Sequence, residues 1–198
     1  MKKSQKFVAL LLALVLLVGC AVGATIAYLQ TKTNEIVNTF TSSDVSITLT
    51  ETGATNNAQD FKMIPGATID KDPKVTVVAG SEACYVFVKV DAVNTADYIT
   101  YTMADGWTQL ENDQGEAVEG VYYRVVNAED AASGAAYDIL ANNQVQVLPT
   151  VTKAMMETAK TTQPTLSFTA YAIQLNHLAD SSQNDVVDAY DAWQLISK

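Results

Sequence analysis

The sequence contains a single histidine, and this scarcity excludes a zinc-protease helix. That residue is His177, in the stretch "LNHLAD". The zinc-protease motif needs two histidines one turn apart, with a glutamate as the base. His177 with Asp180 could hold a metal only if carboxylates elsewhere completed the site. We therefore expect His177 to be a loop residue that follows the last strand.

Cysteine is almost absent as well. The two cysteines of the chain are Cys20 and Cys84. If Cys20 is removed with the N-terminal segment, no internal disulfide can form, and the core alone must stabilise the fold. Cys84 lies in the apolar stretch "ACYVFVKV". We expect it to be a small buried residue and not a reactive thiol.

Motifs for nucleotide binding and nucleophilic catalysis are missing. The stretch "EDAASGAAY" lacks the lysine of a phosphate-binding loop, and no Gly-x-Ser-x-Gly turn presents a serine. Asp185, Asp188 and Asp191 recur every three residues, but they lack the glycine and the alternation of a calcium loop. A solvated helix face is expected there. The sequence thus predicts no enzyme, no cofactor and no metal site.

Positive charge is also scarce. The chain has 12 basic and 22 acidic residues and a net charge of −10. Loss of Lys2, Lys3 and Lys6 with an N-terminal signal leaves 9 basic residues and a net charge of −13. Such a surface repels nucleic acid and anionic membranes, so a nucleic-acid partner is excluded.

The clearest feature present is an N-terminal export signal, predicted over residues 1–27. Three lysines precede the apolar run 7–18, which is shorter than the ~20 residues needed to span a bilayer. The small residues of Thr25-Ile26-Ala27 predict cleavage between Ala27 and Tyr28. Leu17-Val18-Gly19-Cys20 resembles a lipobox, and lipidation at Cys20 is the alternative processing route.

Most of the remaining chain predicts β-strands. "DVSITLTE" alternates apolar and polar residues with a period of two, which indicates a half-buried strand. "CYVFVKV" is apolar on nearly both faces and is therefore predicted to be a central strand that is covered on both sides. The predicted strands are 45–49, 75–78, 84–90, 98–103, 121–126, 144–148 and 166–174.

These strands predict an antiparallel β-sandwich over residues 44–198. They are short, mostly alternating and separated by turn residues, which favours an antiparallel arrangement over a parallel sheet. Two helices are predicted, at 152–161 and 185–197, the second with Asn184 or Ser182 as its N-cap. Residues 28–43 are polar, and they are predicted to form an extended segment before the sandwich.

Three stretches resemble the TasA/camelysin family of secreted bacterial proteins. Residues 23–51, "GATIAYLQTKTNEIVNTFTSSDVSITLTE", are similar to the family's cleavage site and first strand. Residues 63–90 are similar to its Pro-Gly turn, connector and central strand. The stretches 171–174 and 188–196 are similar to its closing strand and C-terminal helix.

This resemblance implies a jelly-roll-like β-sandwich with a few flanking helices. It also implies a secreted structural protein of the biofilm matrix or cell surface of a Gram-positive-type bacterium, processed by a dedicated ER-type signal peptidase. Fibres in this family are similar to donor-strand assemblies, in which an N-terminal segment completes the sheet of the next subunit. The expected donor is residues 28–41, with Tyr28, Ile36, Val37 and Phe40 as its anchors. The expected partner is the chain itself or a related matrix protein.

Two alternative functions stay open at this point. A lipid anchor on Cys20 would make the chain a binding module tethered to the membrane, whereas release after Ala27 would leave only transient contact with it. Camelysin's name implies a metalloendopeptidase, but the chain departs from any zinc-binding pattern, so that activity is not expected.

Overall fold

A computed structural model describes residues 44–54, 60–175 and 188–197 of the chain. The chain divides into two units, 1–41 and 42–198, and every described residue belongs to the second. The predicted signal and the predicted donor segment therefore lie outside the described residues.

The described part of the chain is mainly β, with ten strands and three α-helices. The strands are β1 Ile47–Thr50, β2 Thr68–Asp70, β3 Lys74–Val77, β4 Cys84–Val93, β5 Ile99–Thr100, β6 Thr108–Glu111, β7 Ala117–Val126, β8 Ala136–Asp138, β9 Gln144–Val147 and β10 Thr165–Gln174. The helices are α1 Ala128–Ser133, α2 Lys153–Ala159 and α3 Ala189–Ile196.

The first layer is a four-stranded antiparallel sheet in the order β10-β4-β7-β6. Its central strand β4 pairs along its whole length with β10, from Cys84 opposite Gln174 to Val93 opposite Thr165. The other edge of β4 pairs with β7. The prediction that "CYVFVKV" forms a central strand is confirmed.

The second layer consists of two three-stranded sheets, β1-β3-β8 and β2-β9-β5. One further hydrogen bond extends each sheet toward the other: Lys71 N donates to Asn143 O (2.8 Å) next to the β2–β9 pair, and Ile139 N donates to Pro73 O (3.0 Å) next to the β3–β8 pair. Because β2 and β3 follow each other in the chain, as do β8 and β9, the two sheets form one broken layer.

The core lies between the two layers. Alternate residues of β4 pack against β3 and β9 from the second layer. The buried apolar residues of this core include Val75, Val77, Cys84, Val86, Val88, Val90, Val126, Ile139, Leu140 and Val145. An antiparallel β-sandwich is therefore confirmed as the fold class, because apolar faces of both layers form one shared core.

Helix α3 covers the outer face of the first layer. Trp193 packs on Phe87 of β4 and Tyr171 of β10, with ring centroids 5.4 and 5.2 Å away. Ala189 and Ala192 complete the buried face of the helix. The first half of β4 is therefore covered on both faces, which explains why residues 84–88 are continuously apolar. Farther along the outer face, Lys89 and Asp91 are 42% and 46% exposed.

Helix α2 closes one end of the core. Ala159 packs with Tyr98, Val147 and Val151, and the Tyr98 hydroxyl donates a hydrogen bond to the Met155 carbonyl (3.1 Å). Val147 lies on the same face of β9 as the core residue Val145. The apolar residues packed around Ala159 therefore continue the core toward α2.

The two ends of the sandwich differ. The chain enters the described domain at Asp44, whose carbonyl accepts a hydrogen bond from Glu82 N (3.2 Å), close to the start of β4. We call this the entry end. Helix α2 and residues 165–168, which pair with the last residues of β4, lie at the opposite end. A surface groove lies between them, and we call this end the groove end.

The prediction missed four elements and misplaced several boundaries. Strands β2, β6 and β8 and helix α1 were not predicted. Strand β7 begins at Ala117 instead of 121, and the predicted strand 98–103 is reduced to β5 and an isolated bridge at Met103. Helix α3 begins later than predicted because Asp188 caps it by accepting from Asp191 N.

Candidate functional site

Most residues singled out in the sequence lie outside the described parts of the chain. These are the cleavage residues, the lipidation candidate, the donor anchors and the lone histidine: Ala27, Tyr28, Cys20, Ile36, Val37, Phe40 and His177. Their roles stay predictions.

Cys84 lies fully inside the core of the sandwich. It is the first residue of β4, and its side chain is 0% exposed. Burial raises the pKa of the thiol to about 11, because the apolar surroundings disfavour the thiolate. The prediction that Cys84 is a small buried residue is confirmed, and its low reactivity stays a prediction.

We expect Cys84 in the chain 28–198 to react with iodoacetamide at pH 8 at least about a hundredfold more slowly when folded than in urea, since the thiolate is the nucleophile and burial disfavours it. The folded pKa lies above the unfolded one, so the thiol contributes stability below about pH 8.5 that is lost as the pH rises toward 11. Equal alkylation rates in the two states would contradict the buried position.

Neither a metal centre nor a membrane span is found in residues 44–54, 60–175 and 188–197. Within these ranges, no three histidine, cysteine or acidic side chains come together as a metal-binding group. No helix in the same ranges has the length and apolar character needed to cross a membrane.

A groove with a volume of about 970 Å³ lies at the groove end of the described domain. It runs between the end of β1, strand β2, the end of α2 and the start of β10. Its lining mixes apolar and charged side chains, among them Leu49, Glu51, Phe61, Ile69, Lys71, Met156, Leu166 and Phe168. A cavity of this size is large enough for an extended peptide segment or a ligand of several rings.

An ion pair lies inside the groove. The Lys71 ammonium contacts both carboxylate oxygens of Glu51 at 2.9 Å. It also lies 5.5 Å from the ring centroid of Phe61 and 5.4 Å from that of Phe168, within the range of cation–π attraction. Lys71 directly follows β2, and its side chain lines the groove together with that of the β2 residue Ile69.

Three strands with open edges border the groove. In the described part of the chain, β10 pairs only with β4, β2 pairs only with β9 and β1 pairs only with β3. Strand β10 has ten residues, and it contains neither a charged residue nor a proline. Natural proteins normally protect such an edge with charges, prolines or bulges. Within β10, residues 165–168 beside the groove carry none of these protective features, and Pro164 directly before them is the one proline at this edge.

The opposite edge of the same sheet is protected. Strand β6 has only four residues, and its pairing with β7 shifts register between Gln109 and Glu111. Asp113 and Glu116 follow in the adjoining turn. A short, bulged and acidic edge resists pairing with another strand. The two edges of the first layer thus differ in how readily they can accept a strand.

The inward side chains of residues 45–49, which include the first part of β1, are incompletely covered. Val45 and Ile47 pack against the core but are only half-buried, and Leu49 is 38% exposed where it lines the groove. Along β10, Leu166 and Phe168 are likewise half-buried. Apolar residues of a sandwich core normally lose nearly all contact with water. The apolar side chains along the seam between β1 and β10 are therefore only partly covered by the residues that the structure describes.

A second charged cluster, around Arg124, has a packing role. Arg124 is the only arginine of the chain. Its guanidinium carbon lies 3.8 Å from the ring centroid of Tyr137 and 5.2 Å from that of Trp107. Burial lowers the pKa of Arg124 from its ordinary value, while Tyr137 and Asp130 oppose this shift. The stacked rings and the acidic neighbour compensate the guanidinium within the sandwich.

Sequence reasoning did not find the groove. Phe168 and Leu166 were predicted as strand residues, but nothing in the sequence pairs them with Lys71 or Glu51. The only local hint was "TIDKDP", in which Ile69 and Lys71 are two positions apart and so fall on the same face of an extended segment. Comparison of the chain with known protein families, with curated proteins and with solved structures finds no match.

Proposed function

We propose that this chain is a secreted structural subunit of a bacterial cell surface or biofilm matrix, and that it assembles into fibres. In this proposal the donor segment, residues 28–41 of one copy, occupies the groove of the next copy. The physical principle is β-augmentation, in which main-chain hydrogen bonds to an open edge give affinity and side-chain pockets give specificity.

The contrast between the two edges of the first layer carries the proposal. The β10 edge is long and uncharged and borders the groove, whereas the β6 edge is short, bulged and flanked by acids. An exposed edge without protection is a template for uncontrolled aggregation. A partner strand that covers the β10 edge removes this liability, and protection of the β6 edge limits pairing to one side.

Burial of the seam supplies a driving force. A strand beside β1 and β10 would cover Ile47, Leu49 and Phe168, which are only partly buried in the described domain. Burial of apolar surface contributes about 25 cal/mol per Å². The donor anchors Tyr28, Ile36 and Phe40 would add their own apolar surface to this term.

The proposed exchange joins copies head to tail. Asp44, the first described residue, lies at the entry end, and the groove lies at the other end of the sandwich. A donor that precedes Asp44 in one copy and occupies the groove of the next copy would link the entry end of the first to the groove end of the second.

The family and the processing route belong to the same proposal. We assign the chain to the TasA/camelysin type, with jelly-roll connectivity, cleavage after Ala27 and release from the cell. Lipidation at Cys20 is the competing route and would keep the chain at the membrane as a tethered module. A camelysin-like protease finds no support in the described residues, which bring no metal-binding group together.

We expect deletion of residues 28–41 to abolish polymerisation of the chain 28–198, because the groove then has no donor. Leu49→Lys should have a similar effect, since it places a charge in the groove at a position that is 38% exposed. The matched control is Val125→Lys, which is 54% exposed on the outer face of the first layer. Sedimentation and electron microscopy measure the fibres.

Fibres that persist after the deletion would overturn the proposal. Equal loss of fibres in Leu49→Lys and Val125→Lys would show that added charge acts generally and that the groove has no special role. Circular dichroism of each variant checks that the domain remains folded.

A further inference from the structure

The Lys71–Glu51 pair differs from the other ion pairs of the described domain. Its two side chains are 11% and 17% exposed, whereas every partner in the other three pairs is at least 42% exposed. Exposed pairs contribute little, because water and salt screen them. The Lys71–Glu51 pair is shielded and lies on the inner surface of the groove.

If another segment covers this ion pair, the free-energy cost of removing the charges from water depends on the polar contacts that the segment provides. Removing both charges from water is unfavourable unless new polar contacts replace the lost hydration. A purely apolar strand offers no such contact. The two oxygens of Glu51 bind Lys71, but an ionised carboxylate has about four acceptor positions, so it can accept a second cation. The groove therefore favours a strand that brings a positive charge.

The donor segment carries one such charge. Between residues 28 and 41 the only charged residues are Lys32 and Glu35. In an extended segment, residues separated by an even number lie on the same face. Lys32 therefore shares a face with the anchors Tyr28, Ile36 and Phe40, whereas Glu35 and the fourth anchor, Val37, lie on the opposite face. If the three aromatic and aliphatic anchors face the core, Lys32 faces it too.

We propose that Lys32 of an incoming copy binds the Glu51 carboxylate beside Lys71, which makes Glu51 a specificity-determining residue of the groove. This inference rests on the proposed function and names the partner of the same site: a second copy of this chain, recognised by the lysine of its donor segment. An uncharged strand would remove water from the partly buried pair without replacing its hydrogen bonds, so it should bind less tightly. The pair therefore disfavours other extended segments in addition to attracting the correct one.

The contact also fixes the register. Ile36 lies four positions after Lys32 and Phe40 lies eight positions after it. In an extended strand these spacings correspond to about 13 and 26 Å. Both distances fit within the ten residues of β10, about 33 Å. A slip by one residue turns Ile36 and Phe40 outward and replaces Lys32 by a threonine at Glu51. The apolar anchors and the ionic contact thus specify the same alignment.

The test compares variants of the chain 28–198 by the initial rate of polymerisation, measured by light scattering at low ionic strength. We expect Glu51→Gln and Lys32→Gln each to slow polymerisation about tenfold, which corresponds to ~1.4 kcal/mol. The double variant should be no slower than either single one, because both changes remove the same contact.

The matched control is Glu157→Gln. Glu157 pairs with Lys160, which also lines the groove, but both side chains are at least 60% exposed. Its replacement should leave the rate unchanged, because exposed pairs contribute little.

Wild-type rates in either Glu51→Gln or Lys32→Gln would overturn the inference, as would additive losses in the double variant. If Glu51→Gln does not fold, Lys32→Gln decides alone, since residue 32 lies outside the sandwich domain. The proposed function fails separately, when deletion of residues 28–41 leaves polymerisation intact. Loss of polymerisation on deletion, together with wild-type rates in Lys32→Gln, would retain the fibre and remove only the ionic contact.

Discussion

Replacement of Gly120 by alanine is expected to destabilise the sandwich domain by about 3 kcal/mol or more. Gly120 lies inside β7 with φ +68°, in the left-handed region that costs other residues about 1–2 kcal/mol. A Cβ at this position would fall on the carbonyl oxygen of Val90 in the central strand β4. Relief of that clash must separate two paired strands, which adds a further 1–3 kcal/mol.

Gly115 supplies a matched control for this effect. It has φ +74°, and a Cβ there would meet nothing within 4 Å. Gly115→Ala should therefore cost only the backbone strain, about 1–2 kcal/mol. Urea unfolding of both variants gives the two free energies of unfolding. Equal losses would mean that the close approach of β7 to Val90 carries no energetic penalty.

Truncation of Trp193 to alanine is expected to cost about 3–5 kcal/mol of stability. Trp193 is 8% exposed, and its ring packs on Phe87 and Tyr171 of the first layer. It is the largest buried side chain that α3 contributes to this contact. Without it the helix loses its main contact with the sheet, and Phe87, which is fully buried, gains contact with water.

Leu195 provides the comparison on the same helix. Its side chain is 49% exposed, so Leu195→Ala should change stability by no more than about 0.5 kcal/mol. Thermal unfolding measures both variants, and binding of an apolar dye reports exposure of the outer face of the first layer. A Trp193→Ala variant as stable as Leu195→Ala would mean that α3 does not hold to this sheet in solution.

The sequence was most informative where a strand is buried on both faces or alternates clearly. Strand β4 was predicted because seven consecutive residues, 84–90, are almost all apolar, and the structure places it between β10 and β7. Strands β3 and β9 were found within one residue of their observed ends. The fold class followed from several such strands separated by turn residues.

Elements whose signals are weak or contradictory were missed. Gly120 indicates a turn, yet it lies within β7, so the start of that strand at Ala117 was not predicted. Strand β2 has only three residues, and Ile69 is its one apolar side chain, so the sequence shows no alternating pattern there. Helix α1 has clear caps at Asn127 and Gly134, but its six residues are too few for a periodic pattern.

The groove could not be predicted from the sequence because its parts are distant along the chain. Glu51 and Lys71 are separated by twenty positions, and Phe168 follows almost a hundred residues later. Their proximity depends on the break between β2 and β3 and on the pairing of β10 with β4. Such long-range contacts are a property of topology and leave no local pattern.

Strand β10 is the last of the ten described strands along the chain, so a chain that ends early loses it first. Strand β10 begins at Thr165, whereas its neighbour β4 ends at Val93. A fragment that stops before Thr165 keeps residues 28–41 but loses one wall of the groove. In the proposed assembly, such a fragment could join the end of a growing fibre but could not receive the next subunit. Premature termination or proteolysis would therefore produce chain terminators, and small amounts of them would set the length of the fibres.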